Sequence, residues 1–105
     1  MPGIAVSPFR PVASPTTVSP LRMVNTATFE KEVLQATGPV AVEFMNFGCP
    51  HCRAIEGNMR EAATRLQGRV KVVQVESNQS PDLFTKYGVQ ATPTFIMFQN
   101  GRPVG

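Results

Sequence analysis

A chain of 105 residues falls below the usual domain size of about 150, so it supplies one core and not two. Hydrophobic residues make up 42% and charged ones 16%, a balance that excludes a wholly disordered chain. The net charge of +3 shrinks once Arg10 and Arg22, in or beside a proline-rich start, are set aside: eight cations then face seven acids. A nucleic-acid surface needs cations clustered on one face, and none is expected here.

Five of the ten prolines (Pro2, Pro8, Pro11, Pro15 and Pro20) fall in the first twenty residues. They remove amide donors and favour extended geometry, so residues 1–20 are expected to form a disordered arm ahead of a single domain over 21–105. Prolines also interrupt the apolar stretch after Ile4, Ala5 and Val6. A secretory leader is therefore not expected, nor is a membrane span, and the sequence reads as cytoplasmic.

Leu21 to Val24 is a short strand candidate, and Asn25 a helix cap. Phe29, Val33 and Leu34 repeat at helical spacing until Gly38 and Pro39 stop the helix. Val40 to Met45 reads as a buried strand holding one carboxylate, Glu43. After Cys49 a long helix should bury Ile55, Met59, Ala62, Ala63 and Leu66, with Glu56–Arg60 and Glu61–Arg65 as outward pairs, and Gly68 should end it. Val70 to Glu76 is a β-branched strand. Ser80, Pro81 and Asp82 open a short helix that Gly88 ends. Thr94 to Phe98 is the next strand, and Asn100-Gly101 signals a tight hairpin with almost nothing after it. The order βαβαβαβ implies an α/β arrangement of helices on a sheet.

Cys49 and Cys52 are the only cysteines, and His51 the only histidine. A bridge closing four residues restrains little of the unfolded chain, so its purpose is not stability. With Cys49 as N-cap, Pro50 takes the first helical position, where its missing donor costs nothing. Cys52 then lies one turn on, near enough to close a disulfide. Amides and positive dipole at a helix start favour a Cys49 thiolate, the nucleophilic form of the side chain. A cationic or donating His51 adds to this, and stabilising the dithiol makes the disulfide a stronger oxidant. The rival chemistry is a metal shared between two chains, since Cys49, His51 and Cys52 supply three of the four ligands that structural zinc needs.

These features together resemble the thioredoxin family over about Leu21 to Gly101. The likeness rests on the Val42-Glu43-Phe44 strand, Cys49-Pro50-His51-Cys52, Lys86-Tyr87-Gly88 and Ala91-Thr92-Pro93-Thr94. It implies a thioredoxin-like fold with a central mixed sheet, and a thiol–disulfide oxidoreductase that needs no bound cofactor. Cys49 would be the exposed nucleophile and Cys52 the buried resolving thiol. Pro50 would border the substrate site, and Pro93 would be a cis proline facing the sulfurs, with Thr92 presenting its backbone to a substrate strand. Glu43 would replace the family's buried aspartate, as a base toward Cys52. The partners implied are protein disulfides or dithiols and a separate reductase or oxidant for recycling.

Three departures stand out. Met45 and Gly48 occupy the places of the family's tryptophans, and Pro-His replaces Gly-Pro. Pro-His resembles the oxidising periplasmic branch, whereas a cytoplasmic setting favours reductase or isomerase duty. The sequence also stops at Gly105, before the family's last strand and helix. The strand Thr94–Phe98 is therefore expected to form an uncovered apolar edge prone to self-association. The reading from another class is a thioredoxin-fold binding or redox-sensing module without turnover.

Overall fold

The computed structural model describes residues 19–105; of the expected proline-rich arm, all but Ser19 and Pro20 lie outside them. The elements are β1 (Arg22–Met23), α1 (Thr26–Phe29) running into a π-helical segment (Glu30–Leu34), and β2 (Val40–Met45). They continue with α2 (Pro50–Ala54), α3 (Glu56–Leu66), β3 (Lys71–Glu76), α4 (Pro81–Lys86), β4 (Thr94–Gln99) and β5 (Arg102–Pro103). The five strands form one mixed sheet in the order β1-β3-β2-β4-β5. β3 is parallel to both β1 and β2, while β4 runs antiparallel to β2 and β5.

Alternation along the central strands decides what each face carries. Val40, Val42, Phe44, Val73 and Val75 pack with Phe29, Val33, Leu83 and Phe98 in the larger core. Aromatic edges interlock there: Phe29 with Phe98, and Phe44 with Phe84, are T-shaped at 5.6 and 5.2 Å. On the opposite face Val72 and Ala41 meet Met59 and Ala63 of α3. In-register pairing also brings Glu43 beside Gln74, and Met45 beside Glu76, so three polar side chains end up buried beneath that face.

Four details differ from the expected elements. The first helix is α-helical for four residues only, capped by Asn25 with a full capping box. It then widens, and Gln35 N–H reaches Glu30 C=O at 2.9 Å, a bond over five residues. The wider turn keeps Phe29, Val33 and Leu34 against one cluster. The helix after Cys49 breaks at Ile55 (φ −99°, ψ 4°), two residues before Gly57, a poor helix former; only Met59 and Ala63 of the expected inner face are fully buried. Ser80 precedes α4 without a side-chain cap bond.

The fourth difference concerns the edge. Asn100 (φ 55°) and Gly101 (φ 81°) make the tight turn, but the chain continues into β5, and Val104 N–H donates to Met97 C=O at 2.7 Å. β4 is thus covered by β5 from Met97 onward, and among the described residues only its Thr94–Ile96 end stays without a neighbour on that side. The apolar surface remains: Phe95 is 52% and Val104 57% exposed.

Candidate active site

The dithiol sits where β2 hands over to α2. Cys49 is the N-cap in an extended conformation (φ −81°, ψ 116°) and Pro50 follows at the first helical position, as the spacing requires. The Cys52 N–H, otherwise an orphan of the first turn, donates to Cys49 Sγ at 3.1 Å. Both cysteines are free thiols. Cys52 is 1% exposed and Cys49 9%, so the sulfur that the resemblance makes exposed is only the less buried of the two. Thr92 is one cause, since its carbonyl oxygen lies 3.5 Å from Cys49 Sγ and accepts from it.

The two thiols are driven apart in acidity. The neighbouring Cys52 thiol first, then Thr92, hold the Cys49 thiol below the ordinary cysteine range; burial opposes them, and the amides of Cys52 and His51 add less. Burial first, then the neighbouring Cys49 thiol, pushes Cys52 up. The neighbouring thiol therefore outweighs the helix-start amides that the sequence points to. His51 acts through its backbone; its side chain is exposed.

Opposite the dithiol, the Thr92–Pro93 peptide is cis, as the resemblance implies. Glu43 is wholly buried. Its Oε1 accepts from Gln74 Nε2 at 2.9 Å, while Oε2 has no partner among the described residues. Burial pushes its carboxyl above the usual range, the Gln74 bond pulls the other way, and the charge of Glu56 pushes it up again.

Sequence reading missed four supporting side chains. Gln74 also donates to Glu56 Oε1 at 3.1 Å, so Glu56 leans inward while keeping its 3.3 Å ion pair with Arg60. Glu76, wholly buried, accepts from the backbone of Asn78 and Gln79 at 2.8 and 2.9 Å. It also accepts from Phe47 N–H and Asn46 Nδ2, both at 3.3 Å. Asn46 Oδ1 in turn accepts from Gly48 N–H at 2.8 Å. This web fixes the loop leading into Cys49. The available signal was polar Gln74 and Glu76 alternating within a strand otherwise fit for burial, each needing an internal partner.

A mixed sheet with a capped dithiol at a strand-to-helix junction, facing a cis proline, defines a thioredoxin-like α/β domain. The thioredoxin family model matches residues 20–105. Thioredoxin 1 of Nostoc is 33% identical over 87 residues, covering 83% of this chain and 81% of its own. Thioredoxin 1 of Synechococcus elongatus is 36% identical over 77% and 76%, and the thioredoxin of Pseudomonas aeruginosa 37% over 74% and 72%. The chain belongs to the thioredoxin family and is a thiol–disulfide oxidoreductase. No helix among the described residues is long and apolar enough to cross a membrane.

Proposed function

We propose that the protein exchanges disulfides with protein substrates through a mixed disulfide on Cys49. The thiolate of Cys49 attacks a substrate disulfide, a new S–S bond forms, and the other substrate sulfur leaves with the electron pair. Cys52 then attacks Cys49 Sγ and releases the second substrate sulfur as a thiol or thiolate. Glu43 takes the proton that Cys52 gives up. The pair leaves the cycle as a disulfide, and a separate reductase returns it to the dithiol. Run in reverse, with an oxidant for recycling, the same steps donate a disulfide.

The observation that carries this reading is the asymmetry of two adjacent thiols at a helix start: Cys49, the N-cap, accepts the Cys52 N–H at 3.1 Å and is the more accessible, while Cys52 is buried. Their acidities are shifted in the matching directions, Cys49 down and Cys52 up. A nucleophile must be thiolate near neutrality, whereas a resolving thiol should stay protonated until the mixed disulfide forms. Thr92, whose backbone already meets Cys49, and Pro93 are assigned to the substrate strand. Pro50 borders it, and His51 supplies an amide to the thiolate. A domain over 21–105, a cytoplasmic workplace and self-association through the Phe95 face belong to the same reading.

The test is insulin reduction by dithiothreitol with and without the protein. Acceleration that Cys49→Ser abolishes is expected. No acceleration would favour a binding or redox-sensing module instead.

A further inference from the structure

A cavity of about 510 Å³ opens behind the dithiol, and its wall carries Cys52, Met45, Gln74 and Glu56. The resolving thiol therefore shares one open space with two polar side chains that reading the dithiol motif alone does not use. Glu43 lies outside that wall, behind Gln74. The single Gln74 Nε2 carries two hydrogens and spends one on each carboxylate, Glu43 Oε1 at 2.9 Å and Glu56 Oε1 at 3.1 Å. Two acids, one wholly buried and the other with its side chain 32% exposed, are thus joined through one amide.

We propose that Glu56 is a positioning residue for the resolving step: tied to Glu43 through Gln74, its charge sets how readily the buried carboxylate accepts the Cys52 proton. This rests on Glu43 acting as the base. In that step the Cys52–Cys49 S–S bond forms, the Cys49–substrate S–S bond breaks, the substrate sulfur takes the electron pair, and the Cys52 proton moves to Glu43. Like charges in a poorly solvated site cannot ionise independently. A negative Glu56 therefore makes Glu43 more basic, while the Gln74 donor makes it less so.

The other groups around this carboxylate are few. From α3 come Glu56 and its partner Arg60; α2 and β1 bring Arg53 and Arg22 to the cavity wall along with Cys52. β4 brings only Phe95 into register. β3 carries Glu76 on the same buried face, one pair further along and held by its own donors, the Asn78 and Gln79 amides. Among the described residues Glu56 is the acid that shares the Gln74 amide with Glu43, and it is accessible enough to replace without opening the core.

The experiment loads Cys49 with thionitrobenzoate as a mixed disulfide and follows release of the coloured thiolate in single turnover across pH. Glu56→Gln should move the midpoint of the rate profile down by about half a pH unit. Glu56→Asp should restore it, and Gln74→Leu should move it up. A ¹³C titration of the Glu43 carboxyl should follow the same order. An unmoved midpoint in Glu56→Gln, or shifts of one sign in both variants, overturns the proposal. Glu43→Gln separates the two levels. If it leaves the profile intact, the base assignment itself fails. If it removes the low-pH limb while Glu56→Gln changes nothing, only the role of Glu56 fails.

Discussion

A thiol at a helix start has several stabilisers available, and their ranking has consequences. The leading one for Cys49 is the Cys52 thiol, ahead of any backbone amide. Replacing Cys52 by Ala should therefore move the pH midpoint of Cys49 alkylation upward, toward that of free cysteine, although the N-cap and Pro50 are untouched. Rates with iodoacetamide between pH 5 and about 9 would show it, and an unchanged midpoint would return the leading role to the amides. For Glu43 the sign runs the other way. Its folded-state pKa is raised chiefly by burial, so the unfolded chain gives up that proton at a lower pH than the folded one. Stability is consequently lost as pH rises from the ordinary carboxylate range through the raised folded value. Glu43→Gln keeps an acceptor for Gln74 and should remove that loss, giving a higher urea midpoint at pH 7 and little gain at pH 4. Glu76 behaves differently, because several donors converge on it. Glu76→Ala would remove the acceptor of part-buried amides, each costing up to about 1–3 kcal/mol where water cannot replace it, so a lower urea midpoint, with slower Cys49 alkylation, is expected.

Among the elements, the turn at Asn100-Gly101 was legible because its signal is chemical: only residues tolerant of positive φ fill such a turn; the short strand β5 after it was not. Gly101 meets a second demand that the sequence does not express. A Cβ there would lie 3.1 Å from the Leu34 carbonyl oxygen, so Gly101→Ala should lose more than the ~1–2 kcal/mol of left-handed strain alone; thermal unfolding would measure it. Cys49 as cap and Pro50 at the first turn were legible for the same kind of reason. The widened turn at Glu30–Leu34 and the break at Ile55 were not, since apolar spacing marks a helical face without saying how the backbone closes its hydrogen bonds. Nor was the inward lean of Glu56. On the helix it is a good i,i+4 partner for Arg60, and only the packing of α3 on β3, with Gln74 in register beside Glu43, brings the Gln74 amide within its reach. Side-chain pairs set by sheet register lie beyond what a one-dimensional pattern carries.

For the molecule as a whole, the two faces of the sheet are unequally protected. One is closed by α1, the π-helical segment and α4 over the larger core. Among the described residues, the other is covered by α3 above β2 and β3. Phe95 shares that second face, because it stands opposite Glu43 in the β2–β4 ladder, and its ring stays about half in water. β5 satisfies backbone groups of β4 from Met97 onward, which narrows the open hydrogen-bonding edge to the Thr94–Ile96 end and leaves the apolar surface. Burying such a ring gains on the order of 1–2 kcal/mol per contact, enough to drive weak association at high concentration and too little for a tight dimer. The 105-residue chain should accordingly show a mass by light scattering that rises with concentration. Phe95→Ser should flatten that rise while leaving the Cys49 alkylation profile in place, because Phe95 belongs to none of the bonds around the dithiol. A mass independent of concentration in the wild-type chain would mean that the exposed ring is tolerated as ordinary surface, and the association would have to be given up.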